Sequence, residues 1–456
     1  MHRRDFLQNL GAGFGLLGLR GSLEGAAVDP LAVRQPHFTP KAKQVIFLFL
    51  NGGISQVDTF DPKPALIKWD GTPMPGPKIK TDRASGNLMR SPWEFKRHGQ
   101  SGIEVSEIFP QVANRIDDFT LIRSMYTDSG NHGPSLQLMN CGHQLPGRPS
   151  IGAWITYGLG SANRNLPGFV VLCPGFPVLG SSLWSAGYMP SIYQGVHIQN
   201  GAVEPEKLVP NLRNSEMDPE EQKRQLALLD RLNRSYLDRT GPQPQLESAI
   251  ASMESAYRLQ AEATDVFDIR KEPDAIRSRY DVSEFGRGCL MALRMVERGV
   301  RMVQIFYGNG QPWDNHDDIR VHAKLAQKTD SPIAALVDDL KSRGLFDETL
   351  IIIGSEFGRT PMIQNSGLEK LGSGRDHNTP AFTYLLAGGG VKGGYVHGAT
   401  DDFGFKAVEK RTHVHDLHAT VLHLLGFDHT KLTYRHAGRD FRLTDVHGNV
   451  IREILA

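Results

Sequence analysis

Lys43-Gln44-Val45-Ile46-Phe47-Leu48-Phe49-Leu50 runs, unbroken by a polar residue after Gln44, into Asn51-Gly52-Gly53. A run that is continuously apolar, rather than alternating, is the pattern of a strand covered on both faces. Residues 300–307, interrupted only by Arg301 and Gln304, and 349–353 read as further strands, ending at Gly308 and Gly354. Residues 119–125 and 169–172 read as two more strands, and 381–387 as a third strand-like run. Helical periodicity over 282–298 leads into the strand at Val300, and that over 333–345 leads into the strand at Thr349. A last helix is expected over 414–425. Strands and helices alternating in this way imply an α/β chain with a largely parallel, helix-covered sheet.

The charge balance narrows the function classes. With 51 basic and 50 acidic residues, no basic face is available for nucleic acid. The three cysteines, Cys141, Cys173 and Cys289, are too few and too odd in number for a disulfide framework, and each reads as a small buried residue. The N-terminus carries Arg3-Arg4, a Gly-rich apolar run from Leu10 to Leu19, and the small residues Gly25-Ala26-Ala27. That order is the pattern of a twin-arginine export signal over 1–27. The apolar run is too short for a stable membrane span, and no later run is long enough. Residues 28–42 read as a Pro-punctuated linker and 43–456 as the folded domain, with 61–102 irregular.

Within that domain, 212–270 reads as a helical insertion. Asp218-Pro219-Glu220-Glu221 opens a helix with an N-cap, an early proline and early acids. Leu226, Leu229, Leu232 and Tyr236 form its stripe. Gly241-Pro242 breaks it, and Leu246, Ile250, Met253 and Tyr257 continue a second helix. Together they read as a helical hairpin inserted in the α/β body, and packing, not a ligand box, is the expected use of the apolar stripe.

Acids and histidines recur where the buried strands end. Trp313-Asp314-Asn315-His316 follows one, Ser355-Glu356-Phe357-Gly358-Arg359 follows another, and Arg375-Asp376-His377-Asn378 precedes the run at Ala381. Open sheets bind ligands at their carboxyl edge, and Asp, Glu and His suit divalent cations. Each residue also has a plain structural reading. Asp314 and His316 could order a turn, Glu356 could pair with Arg359, and His377 could belong to a charged turn. His413, His415, His418 and His423 read as helix-end or surface histidines.

These motifs resemble a bacterial, twin-arginine-exported, sulfatase-like family of unknown function within the alkaline phosphatase superfamily. The resemblance rests on Asn51-Gly52-Gly53, Gln56 to Pro64, Asp314-Asn315-His316, Gly354 to Pro361, Gly374 to His377, Ala387 to Gly394 and Leu443 to Val446, nearly the whole chain beyond the signal. It implies an alkaline phosphatase-like three-layer α/β/α sandwich and metal-dependent hydrolysis of phosphate or sulfate esters. The implied metal is zinc or calcium, and the substrate a small-molecule or polysaccharide ester. By the same resemblance Asp314, His316, His377 and Glu356 would hold the metal, with Asp318 and His322 as rival ligands. The stretch Thr127-Asp128-Ser129-Gly130-Asn131-His132 resembles a threonine-then-Asn-His segment of the phosphodiesterase branch. It makes Thr127 or Ser129 the attacking hydroxyl, unless these merely cap a turn. Arg359 or Arg375 would stabilise charge on the equatorial oxygens. Asn51 stands where the superfamily has an Asp, Phe357 where it has a His, and the sulfatase Cys/Ser-x-Pro-x-Arg motif is missing. A non-catalytic binding or scaffold protein on the same fold is therefore the alternative.

An export signal places the mature protein in the periplasm or outside the cell. Replacing Arg3 and Arg4 together by lysine is expected to leave folded, uncleaved protein in the cytoplasm. Fractionation and blotting would show it, and mature protein appearing outside at the normal level would refute the route.

Overall fold

The computed structural model describes residues 29–456 except 77–80, 82, 209–217, 242, 244–246, 248–249, 251–252, 254–264 and 365–372. The expected signal thus lies outside the described residues, as do Leu246 and Tyr257 of the second insertion helix. The strands used below are β1 (Gln44–Phe49), β2 (Ser85–Leu88), β3 (Phe119–Tyr126), β4 (Phe169–Leu172), β5 (Val196–Ile198) and β6 (Met302–Phe306). They continue with β7 (Thr349–Gly354), β8 (Gly358–Gln364), β9 (Arg375–Asn378), β10 (Phe382–Ala387), β11 (Tyr395–His397) and β12 (Thr412–His413). The helices are α1 (His132–Cys141), α2 (Ile151–Leu159), α3 (Pro219–Thr240), α4 (Glu284–Glu297), α5 (Val321–Ser342) and α6 (Val414–Leu424).

Nine strands form the main sheet, in the order β11-β3-β10-β7-β1-β6-β4-β5, with β12 also on β3. β1 lies between β7 and β6, parallel to both, with Val45 opposite Leu350 on one side and Met302 on the other. Its side chains alternate between two cores. Ile46, Leu48 and Leu50 face the core that α4 and α5 cover. Val45, Phe47 and Phe49 face the core that α1, α2 and α6 cover. Both faces are dry, so the run need not alternate polar with apolar. The chain is an α/β/α sandwich with a mostly parallel sheet. Residues 29–42 run along the body, where Phe38 N–H donates to the Gly426 carbonyl (3.1 Å) and Arg34 to the Tyr157 carbonyl (2.6 Å).

One strand runs the other way. β10 is antiparallel to both β3 and β7. Its amino end therefore lies beside the carboxyl ends of its neighbours, and the residues that lead into it reach the edge where ligands bind. The hairpin of β8 and β9, extended by β2, stands at that edge.

Three readings need correction. Residues 61–102 contain the helix Pro64–Lys68, strand β2 and a strand at Phe95–His98 pairing with Ile103–Ser106, pieces too short to establish a period. α5 begins at Val321 and runs through Pro332 instead of starting after it. An internal proline costs about 3 kcal/mol, and α5 offsets this by burying Ile333, Leu336, Val337 and Leu340. α3 is capped by Asp218 as expected. However, Leu229, Leu232 and Tyr236 are 42%, 59% and 41% exposed, so the stripe is not packed as expected. Periodicity reports that a helix has an apolar side, not that something covers it.

A buried ion pair ties the hairpin to the start of the chain. Arg375 donates from Nε (2.7 Å) and Nη2 (3.1 Å) to the Asp58 carboxylate, which also accepts from Ser55 Oγ (2.5 Å). Both charged side chains are fully buried. Removing one partner leaves the other charge desolvated and uncompensated, which costs about 3–5 kcal/mol. Asp58→Ala is expected to destabilise by that amount in urea unfolding, and a loss below about 1 kcal/mol would show the pair to be unimportant.

Candidate metal centre

β6 ends at Phe306, and the chain turns through Gly308 and Gly310 before passing over Gly52. Gly52 has φ 123°, and a Cβ there would stand 2.5 Å from the Asp314 nitrogen. Only glycine lets the two segments come this close. Trp313 N–H donates to the Asn51 carbonyl (3.1 Å), and the Asn51 amide donates to the carbonyls of Gly308 (3.1 Å) and Gly310 (2.6 Å). Asp314 is thereby fixed at the carboxyl edge of the sheet. Gly374, whose Cβ would overlap the His316 carbonyl, lets β9 close in from the other side.

Three histidines and an arginine converge on the Asp314 carboxylate. His132 Nε2 lies 3.2 Å from Oδ2, while His316 Nε2 and His377 Nε2 lie 2.8 and 3.1 Å from Oδ1. Arg359 Nη2 donates to Oδ1 at 2.6 Å. Each imidazole is held from behind by its other nitrogen. His132 Nδ1 contacts Glu356 Oε1 (2.7 Å), His377 Nδ1 contacts the Gly130 carbonyl (2.6 Å), and His316 Nδ1 contacts Gln364 Oε1. All three partners are acceptors, so each Nδ1 carries the proton and, in the neutral ring, each Nε2 offers a lone pair to the space around Asp314. This is how metal-binding histidines are oriented. Consistently, His132 Nε2 and His316 Nε2 are buried and make no properly angled hydrogen bond. Donor atoms of His132, Asp314 and His377 lie within 4.8 Å of one another, the only such group of three or more among the described residues. The set fits a divalent cation, and its nitrogen content suits zinc rather than the all-oxygen preference of calcium.

The charges explain the pKa shifts. Burial disfavours the Asp314 carboxylate, but the surrounding imidazoles and Arg359 outweigh it and hold its pKa far below the usual range. Burial likewise opposes protonation of His132, yet Asp314 and Glu356 on either side raise its pKa to about 9. For His377 burial wins, aided by Arg359, and its pKa falls.

The structure thus brings Asp314 and His377 together with His132, sets His316 against Asp314 outside that close group, and places Glu356 behind His132. Glu356 is fully buried and accepts from His132 and from Gly52 N–H (3.0 Å). It therefore orients a ligand instead of joining the set, and its partner is His132, not Arg359. The rivals stand apart. Asp318 pairs with Arg320, and fully buried His322 accepts from Ser55 N–H (3.1 Å) and contacts Asn315 Oδ1 (2.9 Å). Arg375, expected to face substrate, is committed to Asp58 and to the Met89 carbonyl (3.0 Å). Buried Arg359 is spent on Asp314 and on the carbonyls of Gly52, Gly53 and Trp313, so it braces the carboxylate. Ser129 Oγ accepts from Asn131 N–H (3.2 Å), a turn contact, whereas the buried Thr127 hydroxyl has no hydrogen-bond partner. Phe357 packs tilted against His377 (ring centroids 4.4 Å apart) and His132 (4.9 Å), so an apolar ring stands at the position where the resemblance expects a histidine. His413 caps α6, while His415 and His418 contact the carbonyls of Gly142 (2.9 Å) and Met139 (2.8 Å), as structural histidines do.

Sequence reasoning missed His132 as a ligand. Its Asn131-His132 segment was in view but was read for hydroxyls. The available signal was the Asn N-cap: Asn131 accepts from Gly133 N–H (3.1 Å) and sets His132 at the first position of α1.

The edge of this α/β sandwich thus gathers one carboxylate and three oriented imidazoles, donors of the kind a divalent cation takes. The family described as "Protein of unknown function (DUF1501)" matches residues 42–455, and the chain belongs to it. Comparison with curated proteins found no match. Similar solved structures include Ps i-CgsB in complex with k-i-k-neocarrahexaose, at 12% identity and TM-score 0.36, covering 86% of this chain and 72% of that one. The PsFucS1 sulfatase from Pseudoalteromonas sp. is 13% identical with TM-score 0.32, covering 89% and 71%. A TAB5 alkaline phosphatase with magnesium bound is 12% identical with TM-score 0.33, covering 78% and 92%. Scores this low leave the architecture to be read from the chain's own sheet.

The raised pKa of His132 has a measurable consequence. An imidazole is ordinarily half-protonated near pH 6.5. A folded-state pKa of about 9 means that its contribution to the metal-free protein is complete below about pH 6.5 and lost as pH rises through about 9. Metal-free protein is expected to lose thermal stability over that window, and His132→Ala to flatten the loss. An equal loss in the variant would overturn the assignment.

Proposed function

We propose that this chain is an exported, metal-dependent hydrolase of phosphate or sulfate esters. What carries the reading is the set of three imidazoles, each tied through Nδ1 to an oxygen and presenting Nε2 to one carboxylate. A bound zinc-type cation would supply Lewis acidity toward an ester oxygen. His132, His316, His377 and Asp314 would hold it, Glu356 would fix His132, and Arg359 would fix Asp314. Thr127 is the favoured nucleophile. Its hydroxyl is buried without a partner, its N–H donates to the Thr379 carbonyl (3.0 Å), and it stands in the loop whose Gly130 carbonyl orients His377. The substrate is a small-molecule or polysaccharide ester, and the mature protein works in the periplasm or beyond.

The alternative, a scaffold with a partly lost site, draws on Phe357 and Asn51. Both are committed to packing or backbone contacts where further ligands were expected. A single centre then remains, enough for binding without turnover.

Elemental analysis and p-nitrophenyl phosphate and sulfate assays separate the two. His377→Ala is expected to lose the metal and at least about a hundredfold in kcat/KM. Thr127→Ala is expected to keep the metal and lose at least about a thousandfold, while Ser129→Ala stays within about threefold. Wild type that binds metal but hydrolyses neither ester would establish the scaffold, and wild type that binds no divalent metal would end the hydrolase reading.

A further inference from the structure

A second feature at the same edge takes no part in holding the metal. In the connection from β4 to β5, Phe176-Pro177-Val178-Leu179 exposes three large apolar side chains, Phe176 at 47%, Val178 at 40% and Leu179 at 44%. Single exposed apolar residues are ordinary. Three within four residues, on a pinned loop, are not. Phe176 N–H donates to Asn309 Oδ1 (3.0 Å), its carbonyl accepts from Gly310 N–H (2.9 Å), and Pro177 bridges to Gly310. Leu179 is held at φ 71°, a conformation a leucine rarely adopts unless its surroundings impose it.

The anchors place this lip against the metal centre. Gly310 lies in the loop that delivers Asp314, and its carbonyl is the one that Asn51 grips. On the other side Leu179 Cδ1 comes within 3.8 Å of where a Cβ on Gly133 would stand, next to His132. The lip therefore spans the loop that carries the carboxylate and the helix end that carries an imidazole. Behind it opens a cavity of about 440 Å³ lined by Phe176, Ser181, Trp184, Gln194 and His197, with the Phe176 and Trp184 rings stacked 6.2 Å apart. That volume suits a small-molecule moiety. No charged side chain belongs to the lip or these walls, His197 being kept neutral by burial.

We propose that this lip and cavity receive the alcohol portion of the ester, and that this portion is an alkyl or aryl group. The inference rests on the hydrolase reading for what sits at the centre, but its test does not need turnover. Calorimetric titration of the full-length mature protein with n-butyl and n-octyl sulfate, below their micelle concentrations, gives a chain-length affinity ratio. Each methylene that reaches the lip is worth about fourfold, so octyl is expected to bind at least about tenfold tighter than butyl. The double variant Phe176→Ser/Leu179→Asn should cut the ratio to about two or less; asparagine tolerates the left-handed backbone and both sites are exposed. Ile67→Ser, at an exposed apolar residue in the helix after β1, controls for unspecific adsorption and should leave the ratio unchanged. A wild-type ratio near one, or a ratio the double variant keeps, overturns the proposal. If no ester is hydrolysed while the ratio behaves as expected, the hydrolase reading falls and the apolar subsite stands.

Discussion

A carboxylate held out of bulk water must be neutralised where it stands, and the edge of this sheet is arranged around that demand. Asp314 lies where its backbone passes close over Gly52, and Arg359 supplies a fixed positive charge beside it. Arg359 cannot leave, because its Nε donates to the Gly53 carbonyl, its Nη1 to that of Arg375, and its Nη2 also to those of Gly52 and Trp313. With a single guanidinium facing both Asp314 and buried Glu356, the local balance stays negative unless a proton or a cation joins. The proton goes to His132, between the two acids. A divalent cation would satisfy the same deficit with more charge, beside a carboxylate that the nitrogens of His132 and His377 already approach.

Topology makes that gathering possible. In a purely parallel sheet, a residue preceding a strand would lie at the amino edge, a strand's length away from residues that follow other strands. Reversing β10 moves its lead-in segment across. His377 can then meet Asp314, which follows a parallel strand, and His132, which opens a helix. Three segments far apart in sequence, at His132, Asp314–His316 and His377, thus meet at the carboxyl edge.

Much of the fold was legible because its dominant constraint is local. A strand buried on both faces is mostly apolar along its length, and 44–50, 302–306 and 349–353 stand out by that, their few polar residues being hydrogen-bonded within the core. Asp314, His316 and His377 could be picked out because acids and histidines at strand ends are hard to explain as packing. What escaped was decided by partners far along the chain. Arg375 is a plausible anion binder until Asp58 is found against it. Glu356 looks like a ligand until His132 takes its oxygen, and Arg359 looks free until backbone carbonyls claim it. Nor does an apolar stripe on α3 state whether it is covered. Each of these outcomes belongs to a pair, and one residue's identity carries half the information.

The central place of β1 bears on how the molecule is made. It is the first strand, yet both of its neighbours, β6 and β7, come from the last third of the chain. Closing loops of this length must precede the contacts that reward it. A ribosome-bound chain would hold an apolar strand with no edge to pair until nearly the whole polypeptide has emerged. Assembly is thus confined to the completed chain, and a product ending before β7 leaves the hydrophobic centre exposed to aggregation and proteolysis rather than forming a smaller stable unit.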